Sequence, residues 1–377
     1  MDFELTSDQK LLQDAVQRFV AGEYAFDSRQ RILASAHGFS DSIWQRLAAQ
    51  GVLALGLPED YGGFGGPIEI MVVMEQLGAG LVLEPFLSTV VLGAGLIARH
   101  GSPAQKSWVL PRVIDGSIRI ALAHYEPDAR YVLDRVDARA RMSDGRFLLS
   151  GRKSVVLDGA TAELLIVSAR EESSGAVSLF LVDPSAAGIK LTRYRTQDGR
   201  NAADIELAEL SLGAEHLLGV RGAALVALEE ALDHALAALC AEAVGIMEAV
   251  NRATLDYLRT RVQFGQPIGR FQVLQHRMAD MFMMAVQARS MSLLASGRCA
   301  VGDARQRHHD VCAAKAFVGK AARFIGQQSV QLHGGMGMSA ELIVSHYFKR
   351  LTMINATFGD CDHHLGIISD HILRERA

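Results

Sequence analysis

Arg261-Val262-Gln263-Phe264-Gly265-Gln266-Pro267-Ile268-Gly269 interrupts a helical pattern that resumes at Phe271-Gln272-Val273. On either side apolar residues recur at three- and four-residue spacing with few breakers, Ala223 to Leu258 before it and Phe271 to Ala300 after it. Two more such stretches follow, Asp310 to Gln331 and Ala340 to Asn355. The first of these closes on Gln331-Leu332-His333-Gly334-Gly335-Met336-Gly337, a helix end with a bare backbone. Long amphipathic helices in succession bury their apolar stripes against one another, so residues 221–377 read as a four-helix bundle.

Upstream the period changes. Phe147-Leu148-Leu149-Ser150-Gly151, Leu164 to Val167, Leu179 to Val182 and Ile205 to Leu207 are short β-rich runs, separated by turns such as Ser143-Asp144-Gly145 and Asp198-Gly199. No helical segment intervenes, which predicts an antiparallel barrel or sandwich over 118–220. Residues 1–117 return to helix. Thr6-Ser7-Asp8-Gln9 is a capping box, and Ile43 to Leu53 and Ile68 to Leu77 share the helical spacing. A turn-rich loop, Pro58 to Gly66, divides the last two, and Leu81 to Ile114 adds more helical pattern. The order is α, β, α, an α+β chain that is mainly α.

Composition removes several function classes. The 377 residues carry 38 basic and 42 acidic side chains, a net charge of −4, with no basic stripe for nucleic acid and no polybasic membrane patch. Apolar stretches such as Thr89 to Ala98 are far below the ~20 residues of a membrane span. Met1-Asp2-Phe3-Glu4 is acidic where a secretory leader is basic, and the four cysteines form no CxxC pair; both readings predict a reduced, cytoplasmic protein. Thirteen histidines without HExxH or paired spacing predict no metal site.

Gly-rich turns expose N–H groups that approach an anion closely, and Arg261 adds a forked donor. Each turn alone is equally a tight connection in a bundle. Together and in this order they resemble the acyl-CoA dehydrogenase family, which shows RxxFGxxxxxFQ and QxxGGxG in its C-terminal bundle. Pro58-Glu59-Asp60-Tyr61-Gly62-Gly63 is similar to the family's PEEYGG loop, and Glu126-Pro127 to the EP of its flavin strand. The resemblance covers nearly the whole chain. It implies FAD held between two protomers of a tetramer, with Arg261, Gln263, Phe264, Gln272, Gln331 and Gly335 contacting the neighbour's FAD. It also implies an acyl-CoA substrate and an electron-transferring flavoprotein as acceptor.

The chain departs from that family where the flavin ring would lie. For (T/S)EPxAGSD it has Tyr125-Glu126-Pro127-Asp128-Ala129-Arg130-Tyr131-Val132, and for KxWI(T/S)N it has Lys153-Ser154-Val155-Val156-Leu157-Asp158. Tyr125 and Leu157 stand where hydroxyls bond the flavin, and Val155 where a tryptophan stacks. The reaction also needs a carboxylate of raised pKa to take the α-proton. Phe358-Gly359-Asp360 places Gly359 at the family's glutamate position and leaves Asp360, one carbon shorter, beside it. Asp360 is a candidate base and equally a cap for the helix starting near Asp362. Other family members carry the acid on the first bundle helix, where this chain has Ala235 and Leu236; nearby Asp233 and Glu242 lie on opposite helix faces. His333, His363 and His364 are candidate proton or phosphate ligands, the last two equally explained by a solvated helix start. Cys361 reads as a small buried filler.

An intact clamp half and an altered ring half fit a subunit that completes a partner's site. Phe358-Gly359-Asp360, His363-His364-Leu365 and Gln331 to Gly335 resemble the small subunits of heteromeric family members acting on pimeloyl-CoA and other dicarboxylyl or bulky acyl-CoA thioesters. The alternatives are a self-sufficient homotetramer with Asp360 as base and a flavin-free acyl-CoA-binding scaffold.

Overall fold

The computed structural model describes residues 4–375. Eleven α-helices are assigned among them: α1 Ser7–Glu23, α2 Phe26–Ala34, α3 Asp41–Ala49, α4 Pro67–Ala79, α5 Gly95–His100, α6 Pro103–Ile114, α7 Ala224–Thr260, α8 Gln272–Cys299, α9 Ala304–His333, α10 Ile343–Ala356 and α11 Cys361–Glu375. The strands are β1 Ile120–Ala123, β2 Arg139–Ser143, β3 Arg146–Leu157, β4 Leu164–Glu171, β5 Val177–Val182, β6 Ile189–Arg195, β7 Asn201–Leu212, β8 Leu217–Leu218, β9 Val262–Gln263 and β10 Gln266–Pro267. The described chain forms two compact units. One gathers the chain up to Arg31, Pro67–Val82 and everything from Leu236 on; the other gathers Ile32–Gly66 and Leu83–Ala235.

Local chemistry sets the helix ends. Thr6 accepts from the Gln9 amide at 3.2 Å while the Gln9 side chain accepts from the Thr6 amide at 2.9 Å, the predicted capping box. In the first unit α4 and α7 approach so closely that only glycine fits. A Cβ on Gly78 would lie 2.2 Å from the Glu242 carbonyl oxygen, and one on Gly245 would lie 1.8 Å from that of Glu75. The apolar run after Leu81 is a π-helical stretch, Leu87–Ala94, buried throughout, that leads into α5. In a π-helix the wider hydrogen-bond spacing alters which side chains share a face, so a 3.6-residue reading passes over it.

The second unit is built on one sheet of eight strands, ordered β6-β7-β3-β2-β4-β5-β8 with β1 also paired to β4. The antiparallel expectation is corrected in part. β1 runs parallel to β4, Ile120 opposite Leu164, and the end of β2 runs parallel to β4, Arg139 opposite Arg170, which makes the sheet mixed. The parallel pairs escape sequence reading because β1 and β2 are four and five residues long and are joined by an irregular loop. β3 alternates buried and open residues along its length. It slips register against β7 between Leu149 and Gly151 and again between Lys153 and Val156. Phe147, Leu149, Leu165, Val167, Phe180, Val182 and Ile205 form its apolar core, each such side chain contributing about 1.5–3 kcal/mol on burial. The four-helix expectation for the C-terminal region is also adjusted: α7 to α11 are five helices.

Candidate functional site

Four of the six clamp residues meet in one groove of about 690 Å³ in the first unit. Arg261, Gln263, Gln331 and Gly335 line it with Tyr257, Arg277, His333 and Gly334. α7 ends at Thr260, and Val262-Gln263 and Gln266-Pro267 pair as a two-residue hairpin whose turn is Phe264 (φ 54°) and Gly265 (φ 76°). Two consecutive left-handed residues define a type I′ turn, so the hairpin projects from the helix end. Arg261 is held at its base, its amide bonded to the Tyr257 carbonyl at 2.8 Å and its carbonyl accepting from the Ile268 amide at 2.9 Å. Its guanidinium is left exposed beside the groove.

The opposite wall is the end of α9. Gly334 has φ 61°, and a Cβ on either Gly334 or Gly335 would meet no atom within 4 Å. The bare backbone therefore borders open space. His333 stacks on Tyr257 at 4.4 Å between ring centres, and its Nδ1 donates to the Ser329 carbonyl at 2.8 Å. Burial pushes its pKa down, which keeps the ring neutral and leaves Nε2 as an acceptor. Gln272 and Phe264 do not line the groove. Phe264 stands on the hairpin tip with 89 % of its surface exposed, touching Phe271 edge to face at 6.0 Å. Tyr257, absent from the sequence reading, was legible as the aromatic one turn before Arg261.

The ring-half residues lie in the second unit. The Ser154 amide donates to the Tyr125 carbonyl at 2.9 Å, so the segments carrying Tyr125 and Val155 are adjacent. Beneath them Glu126 and Lys153 form a buried pair; Lys153 also donates to Ser168 at 3.0 Å, and Glu126 accepts from the Asp137 and Ala138 amides at 2.6 and 3.1 Å. These two charges brace the segments from below. Val155 occupies the second bulge of β3 with φ 49°, a strained conformation for a β-branched residue, and is 40 % exposed. Its amide already donates to Asp204 at 3.0 Å. Leu157 pairs with Ala202 and offers no donor, and Tyr125 packs its ring at 4.1 Å against buried His124.

At the start of α11 Asp360 accepts from the His363 amide at 2.9 Å, the N-cap geometry. It lines a separate cavity of about 400 Å³ with Lys320, Arg323, Gln327 and Asn355 beside Phe324, Cys361 and Asp362, so two cations share the setting with apolar surface. Gly359, before it, has φ 116°, and a Cβ there would lie 2.5 Å from His364 Nε2 and 2.6 Å from His363 Cδ2. The solvated-start explanation fails for His364, which is 1 % exposed. Burial, then the charges of Lys315, His363 and His308, push its pKa down to about 3. Fully buried Lys315 fixes this corner, donating to the Asn355 carbonyl at 3.1 Å and the Gly359 carbonyl at 2.7 Å. A single lysine inside Cys312-Ala313-Ala314-Lys315-Ala316-Phe317-Val318 was its only signal. Of the first-bundle-helix acids, Glu242 is taken up by a two-pronged buried pair with Arg350, both contacts 2.7 Å. Cys361 is half-buried.

A glycine-edged groove at two helix ends, with an exposed guanidinium and a neutral histidine, has the donor set and bare backbone that a phosphate-bearing ligand requires. The acyl-CoA dehydrogenase N-terminal, middle and C-terminal domain profiles match residues 6–117, 121–212 and 223–373. The chain therefore belongs to the acyl-CoA dehydrogenase family, FAD-dependent oxidoreductases acting on acyl-CoA. It is 25% identical to the acryloyl-CoA reductase (NADH) of Anaerotignum propionicum over 99% of this chain and 96% of that one. The structure of a variant of the Tcur3481–Tcur3483 steroid ACAD has TM-score 0.87 and 28% identity, covering 98% of each chain. The ChsE4–ChsE5 complex from Mycobacterium tuberculosis has TM-score 0.90 and 26% identity over 99% of each.

The residues present fit one end of FAD. The clamp groove offers a guanidinium, two glutamines and unshielded backbone for a diphosphate and its nucleoside. The ring segments offer neither a hydroxyl nor an aromatic face at Leu157 and Val155, and the Val155 amide is engaged.

Proposed function

We propose that this chain is the small subunit of a heteromeric acyl-CoA dehydrogenase, similar in kind to the small subunit of pimeloyl-CoA dehydrogenase, acting on dicarboxylyl- or bulky acyl-CoA. Its clamp groove would hold the nucleotide end of an FAD whose ring lies on a homologous large subunit. FAD, when bound, supplies the hydride acceptor for oxidation at the acyl β-carbon. This chain's residues supply Arg261 for phosphate charge, Gln263 and Gln331 for hydrogen bonds, and the exposed Phe264 as a contact to the neighbour.

The observation that carries the reading is the corner at Gly359. Position 359, where the family places its glutamate, has no room for a side chain: φ is 116° and two imidazoles fill the Cβ direction. Asp360, the adjacent carboxylate, is committed to capping α11 among cations. A proton acceptor of raised pKa is then the large subunit's to provide. Two relatives described as two-protein assemblies support the arrangement. Electrons would leave to an electron-transferring flavoprotein, and the compartment would be the cytoplasm.

The test is the flavin-to-protomer ratio of the chain purified alone and with a co-expressed homologous subunit. A ratio near zero alone, rising towards one flavin per pair, is expected. A ratio near one for the chain alone, with bleaching on acyl-CoA addition, overturns the proposal in favour of a homotetramer using Asp360.

A further inference from the structure

The second unit holds a cavity of about 610 Å³ that neither half-site uses, lined by Arg119, Arg193 and Arg195 with His37, Thr161 and Tyr194 among its walls. No Asp or Glu lines it. Each guanidinium is anchored by one edge. Arg195 donates to the Leu33 and Gly199 carbonyls at 3.3 Å each and to the Ser35 carbonyl at 3.0 Å. Its seat depends on Gly38 (φ 67°), where a Cβ would lie 1.7 Å from Arg195 Nη1. Arg193 spends only its Nε, on the Ala160 carbonyl at 3.0 Å. Arg119 is gripped by Asp41 at 2.6 Å and by Glu163, while its Nε is buried without a partner among the described residues.

The surrounding charges make the balance explicit. Asp41 pairs with Arg119 and also lies 3.5 Å from His37 Nδ1, Glu163 pairs with Arg119, and Asp204 accepts from the Tyr194 hydroxyl at 2.9 Å. Neither Arg193 nor Arg195 has a carboxylate partner among the described residues. Two guanidiniums without a carboxylate partner, Arg195 seated by three carbonyls and Arg193 tethered by one, make this cavity locally positive in a chain of net charge −4. A fork of N–H donors matches the oxygens of a phosphate, and anchoring in advance removes most of the ordering cost.

We propose that this cavity binds a phosphate group, carried by CoA or free as a polyphosphate anion. The CoA source rests on the dehydrogenase reading; the phosphate site does not. Asp204 accepts from both the Tyr194 hydroxyl and the Val155 amide, so an occupant at Tyr194 would be felt at the ring segment.

The experiment is calorimetric titration of the full chain, in an Arg261→Gln background that removes the clamp's own anion site, with pyrophosphate, CoA and dephospho-CoA. Arg193→Gln is the probing variant, since that exposed side chain makes a single bond to the fold. Pyrophosphate should bind and weaken about 10- to 100-fold in Arg193→Gln, as expected for a lost charge-assisted contact. CoA binding tighter than dephospho-CoA, with that preference abolished in Arg193→Gln, identifies CoA as the source. Pyrophosphate sensitivity without any CoA preference keeps the site and assigns it a free polyphosphate. No pyrophosphate binding, or binding equal in both proteins, overturns the proposal. Failure of the dehydrogenase reading would show separately, as a chain that takes up no flavin with any partner.

Discussion

Gly335 and Gly359 both stand on bare backbone at helix ends, yet they do opposite things. Around Gly335 a Cβ would meet nothing within 4 Å, and the exposed backbone borders the clamp groove. At Gly359 the same Cβ would strike two imidazole rings, and the glycine is there because the corner is full. A glycine therefore marks a ligand approach in one loop and the exclusion of a side chain in the other. The difference lies in what packs behind it: open space past α9, and His363, His364 and Lys315 at the α10–α11 corner.

The largest expected effect comes from forcing a side chain into the filled corner. Gly359→Glu places a Cβ at φ 116° against His364, combining backbone strain of about 1–3 kcal/mol with overpacking of about 1–3 kcal/mol. Denaturant unfolding should show both costs, and adding His364→Ala should recover only the overpacking part. A Gly359→Glu protein as stable as the parent would remove the contrast between the two glycines. Gly335→Ala, by comparison, should leave stability nearly unchanged.

Lys315→Met should come next. It strands the Asn355 and Gly359 carbonyls, at about 1–3 kcal/mol for each buried group left unpaired. The pH dependence has a definite sign. Burial lowers the folded pKa of Lys315 from 10.5 to about 8, so between those values the unfolded chain binds more protons. Stability supplied through this group then rises with pH across about 8 to 10.5, and a rise there that persists in Lys315→Met would assign it elsewhere.

Arg261→Ala should leave thermal stability within about 0.5 kcal/mol, because the side chain is exposed. It should weaken FAD retention by the co-expressed complex about 10- to 100-fold, read by equilibrium dialysis. Unchanged retention would take the groove out of the cofactor site. The smallest effect belongs to the ring half. Val155→Gly relieves the left-handed strain of a β-branched residue, so the melting temperature should hold or rise slightly. A marked fall would mean that the Val155 side chain is held by contacts that outweigh the strain.

Periodicity and punctuation made much of this legible. Thr6 and Gln9 form the capping box, the breaks at Arg261 and Gln331 fall at the ends of α7 and α9, and the β-rich runs became β3, β4, β5 and β7. Arg261, Gln263, Gln331 and Gly335, which line one groove, were singled out by the motifs' resemblance to a family pattern, since a glycine-rich turn beside an arginine is by itself equally a tight connection. The missed elements had weak local signals. β1 is short, β6 carries only two aliphatic residues and buries none of its seven fully, and the π-helical stretch does not keep a 3.6-residue period.

The sequence by itself determined the alternation of helical and β-rich regions, because periodicity is read along one segment, and its separated motifs carried the resemblance that named the family. Only the tertiary structure decided the parallel pairing of β1 with β4, the burial of His364, the anchoring by Lys315 and the cavity of three arginines. These join positions tens of residues apart, and whether a charge or a ring there is solvated or enclosed is fixed by packing, which no local pattern encodes.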